Sequence, residues 1–71
     1  MADTLHLTAV ITHEREWYVA RCLQVEVTSQ GETIEESLES LREALEFYFE
    51  DAPAPEVTDV IITPVEVRRV A

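Results

Sequence analysis

One segment carries a nearly complete set of helix signals. Thr33-Ile34-Glu35-Glu36 has the T-x-x-E spacing of a capping box, in which the Thr33 and Glu36 side chains each accept a hydrogen bond from a backbone amide of the first turn. Pro53 and Pro55 end the region in which a helix can continue. Between these limits, apolar side chains at steps of four and three form one stripe, which predicts a single helix with one buried face. The stripe consists of Ile34, Leu38, Leu41, Leu45 and Tyr48.

Three short segments before this helix, and one after it, have strand patterns. Residues 4–12 alternate between apolar and polar side chains, and Trp17 to Leu23 is rich in strand formers. A third strand is predicted near Val25 to Ser29 and a last one over Thr58 to Val70, where Pro64 indicates an edge strand or a bulge. The predicted fold class is α+β in the order β-β-β-α-β. It has a three-stranded antiparallel sheet, one helix packed on a face, and a final edge strand.

The chain is short for the apolar surface it presents. Its 71 residues make a single domain, 1–71, and a domain of this size buries only about 60% of its unfolded surface. The second predicted strand is apolar on both faces, whereas one helix covers only one face of a sheet. We therefore expect a homo-oligomer, a dimer or tetramer, in which another copy covers the second face. The apolar side chains of this strand are Tyr18, Ala20 and Cys22 on one face and Trp17, Val19 and Leu23 on the other.

The charge of the chain excludes several classes of function. Fifteen acidic side chains against five basic ones give a net charge of −10. Phosphate contacts need clustered Lys and Arg, so direct binding of nucleic acid is not expected. No apolar run approaches the roughly 20 residues of a membrane span, and Met1-Ala2-Asp3 does not resemble the start of a signal peptide. The sequence thus predicts a cytoplasmic protein that does not associate with membranes.

The cysteine and the two histidines do not form the pattern of a metal site or a disulfide framework. Cys22 is the single cysteine, which excludes an intramolecular disulfide framework and a cysteine-based zinc cluster, and its position predicts a small buried thiol. His6 and His13 lie seven residues apart without the spacing of a metal motif, so both are expected to be exposed polar residues. No metal, cofactor or catalytic residue is predicted.

Three further motifs occur in a fixed order. They are Tyr18-Val19-Ala20 in the second strand, the run from Ser29 to Leu38 that contains Gly31-Glu32-Thr33-Ile34-Glu35-Glu36, and Ser40-Leu41-Arg42-Glu43-Ala44 in the helix. In their order and spacing they resemble the HicB antitoxin family. The resemblance implies a partial, degenerate RNase H-like fold. It also implies a role in neutralising HicA toxins, which are small, basic, RNA-cleaving proteins.

The chain departs from that family in two places. Many members have a Pro-Gly loop before the third strand, where this chain has Leu23 to Val27. Full-length members also continue into a DNA-binding domain, whereas this chain stops at Ala71, so it resembles the solo domain. We therefore do not expect it to bind its own promoter.

The acidic residues of the helix are the candidate binding site. They are either a solvated outer face or a docking surface for a basic partner, and the resemblance favours docking, with complementary charge speeding association. Two aromatic residues join them as candidate contacts with a partner or a second subunit, because Phe47 lies off the helix stripe and Trp17 begins the second strand. The candidate partner-binding residues are Glu32, Glu35, Glu36, Glu39, Glu43, Trp17 and Phe47.

Enzymatic activity is not predicted. An RNase H-type nuclease needs carboxylates that converge on two metal ions, with an aspartate in the first strand, and residues 4–12 contain no carboxylate. The predicted function is that of a HicB-like antitoxin or its stand-alone relative. The alternative is a non-enzymatic oligomeric scaffold that retains the fold without a toxin partner.

Overall fold

The structure is a computed structural model that describes residues 4–55 and 60–70. Three antiparallel strands in one sheet, paired in sequence order, are followed by a single helix. The α+β class and the order of these four elements are as the sequence predicts. Their bounds are Ala9–Glu14 for β1, Trp17–Cys22 for β2, Thr28–Gly31 for β3 and Ile34–Tyr48 for α1.

The β1–β2 hairpin closes more tightly than the sequence predicts. The predicted strands leave residues 13–16 as the connection, but Glu14 and Trp17 pair with each other and leave a loop of only two residues. Arg15, the first residue of this loop, has a φ of 59°. Glycine adopts that left-handed conformation at lower cost than a residue with a Cβ. The pairing of the strands therefore holds Arg15 in a strained backbone conformation.

β3 begins later than the sequence predicts. It was expected near Val25 to Ser29 and instead starts at Thr28. The chain between β2 and β3 forms a compact connection held by Gln24, whose side-chain Oε1 accepts a hydrogen bond from the Thr8 amide at 2.9 Å. The Nε2 of Gln24 also donates to the Thr8 hydroxyl at 3.1 Å. These bonds hold the connection against the chain before β1, so its apolar side chains reach the core from a loop.

α1 begins where the capping box predicts, but its apolar stripe is less buried than expected. Its most buried line runs through Ser37, which is 0% exposed, and Leu41, which is 2% exposed. Three residues of the predicted stripe stay more than one third exposed, namely Ile34, Leu38 and Tyr48. A single copy of the chain therefore leaves part of the helix stripe uncovered.

The core lies between α1 and the two strands nearest to it. Ala20 and Cys22 of β2 are buried against Leu41 of the helix, which confirms the prediction of a buried Cys22 thiol. The helix packs on β3 and less extensively on β2, so the side of the sheet near β1 is the least covered. Partly buried apolar side chains surround this core: Leu7, Ala9, Ile11, Val25, Val27 and Leu45.

The sheet face away from α1 carries the second apolar set of β2. Trp17 and Leu23 lie on this face and stay more than one third exposed, as does Val10 of β1. No described helix covers this face. This agrees with the expectation that one helix covers only one of the two apolar faces of β2.

The predicted last strand, Thr58 to Val70, does not join the sheet in this chain. Thr58 and Asp59 lie outside the described residues, and residues 60–70 pair with no strand and are exposed along their whole length. The radius of gyration is 14.9 Å, against about 11 Å for a compact chain of this length. The longest axis of the molecule measures 56 Å. Residues 60–70, hereafter the 60–70 segment, therefore stand off the body.

Candidate partner-binding surface

The turn into α1 is held by the predicted capping box. The Glu36 amide donates to the Thr33 hydroxyl oxygen at 3.0 Å, and the Glu32 amide donates to Glu36 Oε2 at 2.9 Å. The Glu36 amide would otherwise lack a partner at the helix start. The second bond differs from the predicted capping box by one residue, because Glu36 accepts from the amide of Glu32 and not from that of Thr33, the N-cap residue. The two bonds fix the backbone from Glu32 onwards. They also place the acidic first turn at the positive end of the helix dipole, which stabilises carboxylates there.

The start of β2 lies beside this turn. Tyr18 pairs with Gly31 in the β2–β3 register, so the residue before it, Trp17, lies next to Glu32. The Trp17 side chain is 42% exposed and forms one wall of a groove of about 450 Å³. We name this concavity the acidic groove. It is lined by Trp17, Gln30, Gly31, Glu32, Glu36, Glu39 and Ser40.

The carboxylates around the acidic groove have different partners. Glu36 is held by the cap, whereas Glu39 is bound by Arg42, which donates to it from both Nε and Nη2. Arg42 also donates from Nη1 to Glu46 at 3.0 Å. The hydrogen bond from Arg42 lowers the pKa of Glu39, and the same bond raises the pKa of Arg42. Arg42 thus offsets part of the negative charge on the helix.

Among the predicted binding residues, the structure brings four to the acidic groove. They are Trp17, Glu32, Glu36 and Glu39. Glu43 and Phe47 are exposed, and their spacing from Glu36 places them further along the same side of the helix. Phe47 is 74% exposed and lies eleven residues from Glu36, about 16 Å along the axis. Glu35 is exposed on the side of the helix that carries Arg42.

A second concavity was not anticipated from the sequence. It has a volume of about 610 Å³ and lies between α1 and the chain leading into β1. The signals in the sequence that point to it are the period-two apolar residues at 5, 7 and 9 and the apolar stripe of the helix. We name it the apolar groove. Its lining is Thr4, Leu5, Leu7, Ala9, Leu38, Leu41, Arg42, Leu45, Glu46 and Phe49.

Cys22, His6 and His13 are not among the residues that line either groove. The Cys22 thiol is buried and donates to Gln24 Oε1 at 3.5 Å. His13 stacks on Tyr18 with ring centroids 4.3 Å apart, and His6 is exposed. Over residues 4–55 and 60–70, no three His, Cys, Asp or Glu side chains form a group that could hold a metal ion.

Comparison with protein-family profiles, with curated proteins and with solved structures finds no significant match for the chain. The resemblance to HicB proteins therefore stays a prediction from the motifs. In the part of the chain that the structure describes, no helix combines the length and apolar character needed to span a membrane.

Proposed function

We propose that this chain is a HicB-like antitoxin, or a stand-alone relative of one, that binds a small basic HicA-type toxin in the cytoplasm. It would neutralise the toxin by covering its active site and would carry out no chemistry itself. The observation that supports this most strongly is the acidic groove, which Trp17 lines together with Glu32, Glu36 and Glu39. The motif order from Tyr18 to Ala44 supports the same assignment.

A groove of this composition suits an arginine or lysine side chain of the partner. Cations bind over the face of a tryptophan ring, and nearby carboxylates accept their hydrogen bonds. Trp17 is half-exposed at the wall of the groove. Tryptophan is among the residue types that most often contribute much of the binding energy at an interface. The net charge of −10 would attract a basic protein from a distance and raise the association rate.

The proposal is tested first by co-expression with HicA-type toxins encoded beside this gene or elsewhere in the same genome. We expect the full chain to relieve toxicity and to retain one such toxin in a pull-down. Absence of both effects for every candidate would contradict the antitoxin role. A neighbouring gene for a small basic protein would identify the first candidate to test.

The acidic groove itself is tested with paired variants against the retained toxin. Trp17→Ala should weaken binding by about 2 kcal/mol or more, since truncation of a central aromatic residue typically has that effect. Leu23→Ala, also on the exposed sheet face, is the matched control and should change affinity little. Isothermal titration calorimetry measures both. Equal losses of affinity for the two variants would show that the acidic groove is not part of the interface.

The electrostatic part is tested with charge reversals. Glu32→Lys at the groove is compared with Glu50→Lys, which makes the same change in net charge beyond the end of α1. Glu32→Lys should lower the association rate more, and the difference between the two variants should shrink as salt screens the charges. Stopped-flow association over a salt series provides the measurement. The same rate for both variants would mean that only the overall charge matters.

The alternative function, a non-enzymatic oligomeric scaffold, is favoured by the uncovered apolar groove. A scaffold would self-associate and would bind no toxin, so the co-expression experiment separates the two functions.

A further inference from the structure

We infer that the apolar groove, with the adjoining edge of β1, receives the 60–70 segment of a second copy of this chain, and that two copies exchange these segments. The inference goes beyond the proposed antitoxin function and does not depend on it. Four observations carry it: an open strand edge, an exposed segment with the composition of a strand, opposite net charges, and the position of the segment away from its own body.

The open edge belongs to β1. The Leu23 amide donates to the Thr8 carbonyl at 2.9 Å. With the strand register, this bond identifies the residues of β1 whose backbone groups point towards β2. In an antiparallel pair, alternate residues point their backbone groups at the partner strand. The amides and carbonyls of Ala9, Ile11 and His13 therefore point the other way, and β1 has no neighbour on that side among the described residues. Such a row of free groups is a template for another strand.

The 60–70 segment has the composition of a missing strand. Most of its residues are β-branched, which favours an extended, paired conformation. Its apolar side chains are nonetheless open to solvent, with Ile61 84% exposed and Val65 and Val67 each 78% exposed. Pro64 lacks an amide proton and is compatible with a strand at the edge of a sheet. An exposed apolar run of this kind indicates an interaction site.

Charge also draws the segment to the body of another copy. The segment carries Arg68 and Arg69 against Glu66, a net charge of +1. Residues 4–55 carry eleven acidic and three basic side chains, a net charge of −8. In the lining of the apolar groove, Glu46 is paired with Arg42, so the attraction for the segment comes from the net charge of the whole body and the groove supplies apolar contacts.

The occupant is a second copy because the segment does not fill its own groove. No described residue of the segment lines the apolar groove, and the molecule extends 56 Å along its longest axis. Each copy offers one groove with its strand edge and one free segment, so a two-fold arrangement satisfies both at once. It would also cover Leu38, which the single chain leaves exposed in the groove.

The first test is the mass of the full-length chain in solution, measured by light scattering and sedimentation at several concentrations. We expect a dimer. Val65→Asp, in the segment, and Ala9→Pro, which removes an outward amide without removing a ladder bond, should each weaken dimerisation by at least about tenfold. Ala9→Ser keeps that amide and should remain dimeric. Val10→Asp makes the acidic change on the opposite sheet face and should also remain dimeric.

The decisive step is to mix the two defective variants. Val65→Asp retains an intact groove and strand edge, and Ala9→Pro retains an intact segment, so a mixed pair keeps one intact segment–groove contact whereas a pair of either variant alone keeps none. The mixture should therefore form a heterodimer that is weaker than the wild-type dimer but tighter than the dimer of either variant alone. Pairing of segment with segment, or of edge with edge, would not be restored by mixing. A monomeric wild type, an unrestored mixture, or dissociation by Val10→Asp alone would overturn the inference.

A measurement on the unmodified chain guards against variants that fail to fold. In the exchanged dimer, the amide protons of Ala9, Ile11 and His13 are hydrogen-bonded and should exchange slowly with solvent. The inference would be overturned if these amide protons exchanged as fast as amides without a hydrogen bond at concentrations where a dimer is present. Loss of toxin binding by a variant that remains dimeric would instead count against the proposed function, so the two failures are distinguishable.

Discussion

Gly31 and Ser37 approach so closely that a Cβ on Gly31 would lie 2.6 Å from the Ser37 amide nitrogen. It would also lie 2.7 Å from the Cβ of Glu36. The end of β3 thus packs directly on the first turn of α1, and the Ser37 hydroxyl donates back to the Ile34 carbonyl at 2.8 Å. This contact sets the position of the acidic groove.

Gly31→Ala should therefore destabilise the fold by about 1–3 kcal/mol, because the backbone must shift to admit the methyl group. Gln30→Ala, at the neighbouring exposed position, is the control and should stay within about 0.5 kcal/mol of the wild type. Urea unfolding followed by circular dichroism measures both. A Gly31→Ala chain as stable as the wild type would contradict the close approach.

The cap at Thr33 predicts a smaller loss of stability, which can be measured separately from that of Gly31→Ala. Thr33→Ala leaves the Glu36 amide without its acceptor and should lower the free energy of unfolding by about 1 kcal/mol. Thr33→Ser retains a hydroxyl acceptor and should recover most of that loss. Thermal unfolding of the two variants checks the prediction, and identical behaviour would show that the cap does not contribute.

Arg15 predicts a gain in stability. Arg15→Gly should raise the free energy of unfolding by about 0.5–1 kcal/mol, because relief of the left-handed strain exceeds the added entropy of the unfolded chain. Glu16→Gly, at the second loop position where φ is not positive, should be neutral or destabilising. Chemical denaturation of both variants provides the measurement. A loss on Arg15→Gly would mean that the Arg15 side chain contributes more than the strain costs.

The Glu39–Arg42 pair predicts a pH dependence. The hydrogen bond from Arg42 lowers the pKa of Glu39 below its ordinary value of 4.5. Its contribution is therefore fully present above that ordinary value and is lost as the pH falls through the folded-state pKa. The stability difference between the wild type and Arg42→Gln should be largest near neutral pH and should shrink in acid. Thermal melts across this range measure it, and a difference that grows in acid would contradict the assignment.

Local signals in the sequence specified a large part of the fold. The helix start at Thr33 was predictable because both hydrogen bonds of the cap join residues only three or four positions apart. The order of strands and helix followed from hydrophobic periodicity for the same reason. β3 is present as predicted but starts at Thr28 and not near Val25, because Gln24 bonds to Thr8, sixteen positions away, and nothing in the local pattern indicates that pairing.

Tertiary structure alone decided which residues form each groove. The sequence placed seven glutamates between Glu32 and Glu50, but it is the β2–β3 register that sets Trp17 beside Glu32 and thereby selects the carboxylates that share its groove. The helix stripe predicted burial, yet α1 sits over β3 and leaves the β1 side open. Periodicity determines which face of an element is apolar, whereas only long-range packing determines whether that face is covered and by what.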